Sequence, residues 1–198
     1  MASRTAAGPF RQPVGDDRLP RDMDRRADHP ALFSGAAMTI DIRPIRPRQG
    51  TVLLRIVSAL AQSHGFLDKY TATADDLERA LFAPNPIVGC LLALFNGEPA
   101  GCAFWHRSFA TSRGREVMYL EDLSVLPDYR RKGIARALLK GLAVEAKNRG
   151  FPGIYWLMMG WNDAARALYA QAGAECDEGM CYYRLTDDAL TRLAESIS

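Results

Sequence analysis

The strongest chemical pattern in this sequence is an acidic strand that leads into a basic turn and then into a long helix. It covers residues 119–135, which read YLEDLSVLPDYRRKGIA. The first amides of a helix lack partners within the helix, and the helix dipole adds partial positive charge, so such a turn can bind an anion. Gly133 lets a diphosphate approach the backbone. Positive charge comes from three consecutive side chains: Arg130, Arg131 and Lys132.

Two other phosphate-binding motifs are excluded by the spacing around this turn. The sequence contains neither GxxxxGK followed by Ser or Thr nor GxGxxG, so it has no nucleotide P-loop and no dinucleotide fingerprint. A solvated basic loop is the alternative interpretation of the turn.

The strand before the turn carries two adjacent carboxylates. Side chains alternate along a strand, which predicts one face made of Tyr119, Glu121, Leu123 and Val125 and another made of Leu120, Asp122 and Ser124. We therefore expect the two carboxylates to point in opposite directions. Asp122 is assigned to the structure of the fold.

Two motifs resemble the GCN5-related N-acetyltransferase (GNAT) family. The turn matches its Arg/Gln-x-x-Gly-x-Gly/Ala signature at Arg130, Gly133 and Ala135. The second segment, with a helix and a strand between, is WNxxAxxLYxxxGA at residues 161–174. The similarity extends over about residues 39–185, and within the family the chain looks most like the spermidine/spermine (diamine) acetyltransferase branch.

The resemblance implies a fold and a mode of cofactor binding. The fold is α/β (α+β), with a central mixed, mostly antiparallel sheet flanked by helices and splayed open around Val125 and Met158 to admit acetyl-CoA. The pantetheine arm would bond the backbone of three strand residues: Leu123, Ser124 and Val125. The diphosphate would bind beside Arg130, on the amides of Arg131, Lys132, Gly133, Ile134, Ala135 and Arg136. Asn162 and Ala165 would line the far side of the cofactor.

The resemblance also implies two catalytic residues. An alkyl ammonium has an ordinary pKa of about 10.4, so removing its proton at pH 7 costs about 4–5 kcal/mol. Glu121 would bind this ammonium and relay its proton through water. Tyr169 lies seven positions after Asn162, on nearly the same helix face, and would hydrogen-bond the departing CoA thiolate. The alternatives are a structural carboxylate and a core aromatic ring.

Two further residues are candidates for substrate binding. Glu178 aligns loosely with an acidic position of the diamine branch, with an exposed hairpin carboxylate as the alternative. His64 stands where the diamine enzymes carry an acidic residue, and the sequence around Thr111 and Arg113 lacks the acidic and aromatic residues of a polyamine channel. A shorter amine fits equally well, for example an amino acid whose carboxylate meets Arg113 or His64. For His106 we expect an ordinary position on a strand.

The predicted function is transfer of an acetyl group from acetyl-CoA to a primary amine of a small molecule, by direct attack in a ternary complex. Two alternatives remain: a protein lysine or N-terminal acetyltransferase, and a non-catalytic acetyl-CoA-binding sensor. By analogy with the family, we expect a homodimer with the C-terminal hairpin as its interface.

These residues must be positioned by alternating strands and helices. The pattern predicts strands at 39–43, 87–95, 100–109, 117–125 and 154–158, with Asn96-Gly97 as a hairpin turn. It predicts helices at 48–62, after Thr73, at 132–149 and from Asn162 to about Ala172, and a final hairpin near Glu178-Gly179.

Composition restricts the class of protein. The chain has 198 residues, 48% of them hydrophobic, and a net charge of +2, which predicts no binding of nucleic acid. We expect no membrane span and no secretion, so the predicted location is cytoplasmic. The four cysteines show no ligand spacing, so no metal is expected. Residues 1–37 mix arginine, aspartate and proline without periodicity and are predicted to be a disordered extension to a domain at 38–198.

Overall fold

Five strands form one sheet in the order in which they occur along the chain. The computed structural model describes residues 38–179, 182 and 186–195. Neighbouring strands are antiparallel except the last pair, which is parallel. The strands are β1 (Ile40–Pro44), β2 (Val88–Phe95), β3 (Glu98–Ala110), β4 (Arg115–Val125) and β5 (Ile154–Tyr155). This is the mixed, mostly antiparallel sheet that the sequence predicts.

Five α-helices and two short 3-10 helices complete the described chain. The α-helices are α1 (Gly50–Ser63), α2 (Ala74–Leu81), α3 (Ile134–Asn148), α4 (Asp163–Gln171) and α5 (Asp187–Glu195). The 3-10 helices span Leu67–Lys69 and Pro127–Tyr129. None of the helices in the described ranges is long and apolar enough to cross a membrane.

Local chemistry explains several element boundaries that the sequence predicts. Asn96 and Gly97 both have positive φ, 51° and 86°, as the tight turn between β2 and β3 requires. Thr73 and Asp76 form a capping box at the start of α2. The Asn162 side chain accepts a hydrogen bond from the Ala165 amide and caps α4.

The sheet has a hydrophobic core on each face. The α3-side core contains α3 residues such as Leu138 and Leu142 packed on buried sheet residues such as Trp105. The α1-side core contains Leu53 and Ile56 of α1 with residues of β2 and β3. The Ser124 hydroxyl donates to the Ile56 carbonyl at 2.9 Å, which ties the end of β4 to α1.

A β-bulge interrupts the ladder between β3 and β4 at Glu121. Phe104 lies opposite Asp122, and the next residue, Trp105, lies opposite Leu120. Glu121 is therefore an extra residue in β4. An extra residue resets the alternation of side chains along the strand that contains it.

The bulge contradicts the predicted faces of β4. Leu120 packs in the α3-side core together with Leu123 and Val125, which strict alternation would separate. Tyr119 precedes Leu120, so it lies on the opposite face from Leu123. The predicted grouping of Tyr119 with Leu123 and Val125 is wrong for this reason.

The end of the sheet also differs from the prediction. The strand predicted at 154–158 is paired only over Ile154 and Tyr155, opposite Met118 and Tyr119. Beyond this pair, none of the described residues forms a strand paired with β4 on its β5 side. The helix α5 is not among the predicted elements, although Asp187 and Asp188 in its first turn are a helix-start signal. The predicted extension at 1–37 and most of the final hairpin lie outside the described residues.

Candidate active site

The start of α3 is an uncapped helix terminus held in an unusual backbone conformation. Arg131 has a φ of 62° and Gly133 a φ of 81°, both in the left-handed region. The first amide that enters the helical ladder is that of Ala137, which donates to the Gly133 carbonyl at 3.0 Å. No side chain caps this helix, whereas α2 and α4 are capped. The amides before Ala137 are thus available to an anion.

The basic side chains of the turn have separate positions. Arg130 Nε donates to the Val125 carbonyl at 3.2 Å, which fixes the turn to the end of β4. Lys132 Nζ lies 4.9 Å from the Phe95 ring centroid and 5.4 Å from that of Tyr129. Ile134 is buried in the α3-side core, and Arg131 and Arg136 are exposed. The turn is therefore anchored at Arg130 and Ile134, with its remaining charge facing solvent.

Within the described ranges, the edge of β4 next to this turn is paired with a strand on one side only. Leu123, Ser124 and Val125 pair with β3, but β5 pairs with β4 only at Met118 and Tyr119. Ser124 uses its hydroxyl to bond α1, so it can offer a ligand only its backbone. An extended ligand can therefore bond this edge in the place of a strand.

Tyr169 lies on the α4 side of the opening. Its ring centroid is 4.9 Å from that of Trp156, which follows β5. Burial raises the pKa of Tyr169 above its usual value, so the phenol stays protonated and remains a hydrogen-bond donor. A cleft of about 470 Å³ between α3 and α4 has Trp156 and Ile154 among its lining residues. Asn162 and Ala165 are joined by the cap of α4.

The bulge brings together an acidic pair and a histidine. The Oε2 atom of Glu121 lies 3.6 Å from Nε2 of His106. The His106 ring stacks on Tyr119, with 4.9 Å between centroids. Burial, and then the charge of Glu121, raise the pKa of Asp122 to about 6. The sequence analysis assigned His106 and Asp122 no part in the chemistry, and the structure places both beside Glu121.

Two tyrosines border this cluster and were also missed. The pKa of Tyr70 is raised by burial and by the charge of Asp122. The pKa of Tyr119 is raised by burial and by the charges of Glu121 and Tyr182. Tyr70 follows the 3-10 helix at Leu67–Lys69 and is far from β4 in sequence, so no local pattern points to it. The described residues contain no group of three or more His, Cys, Asp or Glu side chains arranged for a metal.

Among the predicted substrate residues, Glu121 belongs to this cluster, and His64 makes its ring contact elsewhere. The His64 ring lies edge-on to Trp161, with 5.3 Å between centroids. Burial, and then the charge of Arg130, lower the pKa of His64. Glu178 is exposed in the segment after α4. Their roles in substrate binding stay predictions.

Comparison with known proteins agrees with this geometry. Residues 53–174, well over half of the chain, match the acetyltransferase (GNAT) family. A thialysine N-epsilon-acetyltransferase of Bos taurus is 30% identical over 153 residues, 72% of this chain and 89% of that protein. The Caenorhabditis elegans thialysine N-epsilon-acetyltransferase is 28% identical over 158 residues, 78% of this chain and 97% of that protein.

A solved structure extends the similarity to the fold. An integron cassette protein from the mobile metagenome of V. cholerae superposes with a TM-score of 0.64 and 26% identity, covering 79% of this chain and 98% of that one. Sequence, sheet order and the α3 turn agree, and the chain belongs to the acetyltransferase (GNAT) family.

Proposed function

We propose that this enzyme transfers the acetyl group of acetyl-CoA to a primary amine of a small molecule while both substrates are bound. The observation that carries the proposal is the pair of adjacent carboxylates at the β4 bulge. Among the described residues, His106 is the only basic side chain in ion-pair range of Glu121. A site with this surplus of negative charge favours an ammonium group.

The chain's backbone fits the cofactor at two places. The uncapped amides from Arg131 to Arg136 suit its diphosphate, and the free edge at Leu123–Val125 suits its pantetheine arm. Ala165 would contact it from α4. When bound, acetyl-CoA supplies an activated thioester whose carbonyl carbon an amine can attack. Nearness of the amine to that carbon contributes much of the rate.

Glu121 and Asp122 would bind the amine as an ammonium. The charge of Glu121 raises the pKa of Asp122, which means that the two carboxylates repel one another when both are ionised. An ammonium beside them relieves that repulsion. Its binding therefore favours the ionised form of Asp122.

Tyr169 would act at the other substrate. Its protonated phenol can donate a hydrogen bond to the thiolate that departs from the acetyl group. A hydrogen bond to a charged partner contributes about 1.5–3 kcal/mol. This role needs the phenol to remain neutral, which its burial favours.

The relatives suggest the kind of amine. The two relatives described above are named for thialysine, an amino acid with a side-chain amine. We propose a substrate of this type, with its carboxylate near His64 or Arg113 and Glu178 as a further contact. The alternatives are a protein acetyltransferase and a non-catalytic acetyl-CoA sensor.

The decisive experiment measures release of free thiol from acetyl-CoA with a panel of amines: thialysine, lysine, ornithine, putrescine, spermidine and a lysine peptide. Glu121→Gln removes the proposed ammonium contact. Glu116→Gln is its matched control, because Glu116 is a similarly exposed carboxylate of β4 that pairs with Arg107 at 3.7 Å. We expect Glu121→Gln to lower kcat/KM for a small amine about 100-fold or more, since losing a charged partner costs about 3 kcal/mol.

The control variant should keep activity within about twofold. Turnover of the peptide alone would support the protein acetyltransferase, and acetyl-CoA binding without turnover would support the sensor. Equal losses in the two glutamate variants would remove the assigned role of Glu121.

A further inference from the structure

His106 is held with both ring nitrogens facing hydrogen-bond acceptors. Nδ1 lies 3.1 Å from the backbone carbonyl of Arg107. Nε2 lies 3.6 Å from Oε2 of Glu121. The ring is kept in this orientation by stacking on Tyr119, the residue directly opposite on β4. The side chain is partly open to solvent, so a small molecule can reach it.

The two acceptors decide how the ring is protonated. A backbone carbonyl can only accept a hydrogen bond, so the Nδ1 that faces it carries a hydrogen. In the neutral ring, Nε2 then has a lone pair and no hydrogen. That lone pair faces a carboxylate oxygen, which is also an acceptor. Two states satisfy both acceptors: an imidazolium, which donates from both nitrogens, and a neutral ring with a hydrogen-bond donor lying between Nε2 and Oε2.

An ammonium group is a donor of the right kind. It has several hydrogens and can donate to Nε2 and to Oε2 at once. With hydrogen bonds of about 2.9 Å and tetrahedral geometry, the two acceptors would be roughly 4.7 Å apart. The observed separation is 3.6 Å. The Glu121 side chain is exposed, so a rotation of its carboxylate supplies the difference.

We propose that His106 is the group that removes the proton from the substrate ammonium, while Glu121 holds the ammonium in place. This inference rests on the proposed function, because it names a proton acceptor for that reaction. An imidazole exchanges protons near neutral pH and is a stronger base than an ordinary carboxylate. Glu121 then stabilises the imidazolium that forms, since it is within ion-pair distance.

The proton transfer balances. One N–H bond of the ammonium breaks, its electron pair stays on nitrogen, and the proton bonds to Nε2. The amine's lone pair then forms the C–N bond as the acetyl–sulfur bond breaks, leaving that bond's electron pair on sulfur. The imidazolium passes its proton to water. As the amide forms, the nitrogen loses a second proton and the CoA thiolate gains one. The net products are the amide, the CoA thiol and the one proton passed to water.

Other titratable groups near His106 must be separated from it in any test. Glu121, Asp122 and Tyr119 are on β4, and the charge of Tyr182 acts on Tyr119. From β2, the residue opposite His106 is Val88, which is apolar. The neighbouring Arg107 guanidinium pairs with Glu116 at 3.7 Å. Asp122 is the rival for the proton, because its pKa is about 6.

The test compares His106→Gln with Asp122→Asn, using the best amine of the panel. Removing a general base lowers kcat by about 10² to 10⁴-fold. We expect this loss in His106→Gln, with a smaller change in KM, and the fall of kcat/KM at acid pH should become smaller, since only the protonation of Asp122 then contributes to it. Asp122→Asn should keep that acid-side fall. Imidazole added to His106→Ala should raise the kcat of that variant at least about tenfold.

A second measurement uses the wild-type protein without acetyl-CoA. The chain has three histidines, so nitrogen-15 NMR can resolve their rings, and the spectrum of His106→Gln assigns the resonances of His106. We expect the neutral ring to carry its hydrogen on Nδ1, as the contact with the Arg107 carbonyl requires. Saturating amine should shift the Nε2 resonance of His106, and this shift should be absent from the spectrum of His106→Gln.

Each outcome decides between the proposals. If wild type turns over an amine while His106→Gln stays within threefold and keeps its acid-side fall, His106 is not the base. Loss of that fall in Asp122→Asn alone would assign the proton to Asp122. A hydrogen on Nε2, or no response of Nε2 to amine, would also overturn the inference. Wild type that is inert with every amine overturns the proposed function and this inference together.

Discussion

Tyr169 shows how burial prepares a side chain for one task. It packs on Trp156, and the same burial raises its pKa, so the phenol remains a donor at neutral pH. A tyrosine in solvent would also be neutral, but its hydroxyl would donate its hydrogen bond to water. Removing the hydroxyl alone therefore isolates the contribution of the donor.

Tyr169→Phe should lower kcat by about 10- to 100-fold, because a hydrogen bond to a charged group contributes about 1.5–3 kcal/mol. Its affinity for acetyl-CoA, measured by calorimetry, should change little. Tyr155→Phe, at an exposed position of β5, is the control and should keep its activity. A variant of Tyr169 with normal kcat would show that another group stabilises the thiolate.

Asp122 makes stability depend on pH in an unusual direction. Its pKa is about 6 in the folded protein and about 4 when unfolded. Between these values the folded state binds more protons, so Asp122 lowers stability as pH rises. The cost is complete above pH 6 and amounts to roughly 1–3 kcal/mol.

Asp122→Asn should therefore be more stable than wild type at pH 7.5, and the gain should fade as pH falls towards 4. Denaturant unfolding across this range measures the difference. Asp128→Asn removes one negative charge at an exposed position and should show no such trend. A gain in Asp122→Asn that is equal at pH 4 and pH 7.5 would contradict the titration of Asp122.

At the scale of single residues, the sequence predicts candidate site residues that belong to a recognisable motif. It does not predict residues that come together only through the bulge in β4. Glu121 was found because a family motif contains it, and the basic turn because helix-start chemistry is local. His106 is 15 residues from Glu121 in sequence and reaches it only through the β3–β4 ladder. The proposed role of His106 depends on the register shift at Glu121, which the alternation of side chains along β4 does not predict.

At the scale of elements, the turn before α3 has a left-handed backbone at Gly133 where the diphosphate is proposed to bind. Gly133 adopts a φ of 81°, and a Cβ there would approach only Ile40, at 3.9 Å. An alanine at this position would thus meet no steric clash. It would still disfavour the left-handed backbone that presents the first amides of the helix.

Gly133→Ala should cost about 1–2 kcal/mol of stability and weaken acetyl-CoA binding about tenfold. Gly150→Ala is a matched control at the other end of α3, with a φ of 73° and nothing within 4 Å of its Cβ. It should lose similar stability and keep its affinity, as measured by calorimetry. Equal affinities in the two variants would argue against a diphosphate site at Gly133.

The sequence predicts the boundary of a helix or strand where a residue shapes or caps the backbone of residues next to it in sequence. The Asn96–Gly97 turn and the caps at Thr73 and Asn162 are of this kind. The length of β5 was not, because the pairing with β4 stops after Tyr155 although the apolar residues continue. The residue at which a strand ends in this way depends on the position of the neighbouring strand, and a local sequence pattern carries no information about that position.

At the scale of the whole molecule, the described elements around the candidate site are the strands and helices of residues 40–171. The first strand begins at Ile40, and the family match covers residues 53–174. The residues proposed for catalysis lie between His106 and Tyr169. We therefore propose residues 38–198 as the acetyltransferase domain.

A protein that begins at Met38 should unfold within about 2 °C of the full chain and keep its kcat/KM, since a loss of 1 kcal/mol shifts Tm by about 2–8 °C. Thermal unfolding and thiol release measure the two quantities. Light scattering on the same samples tests the homodimer proposed by analogy with the family. Loss of activity on truncation would assign residues 1–37 a part in the enzyme.

The bulge in β4 also has a consequence for how this fold can change over time. Leu120 and Asp122 already face Trp105 and Phe104, two adjacent residues of β3. A chain lacking only Glu121 would therefore keep every rung of the ladder and both cores in register, and would have a single carboxylate where two now stand. A single-residue insertion or deletion at this point would therefore add or remove the proposed ammonium contact without changing the pairing of the other strand residues.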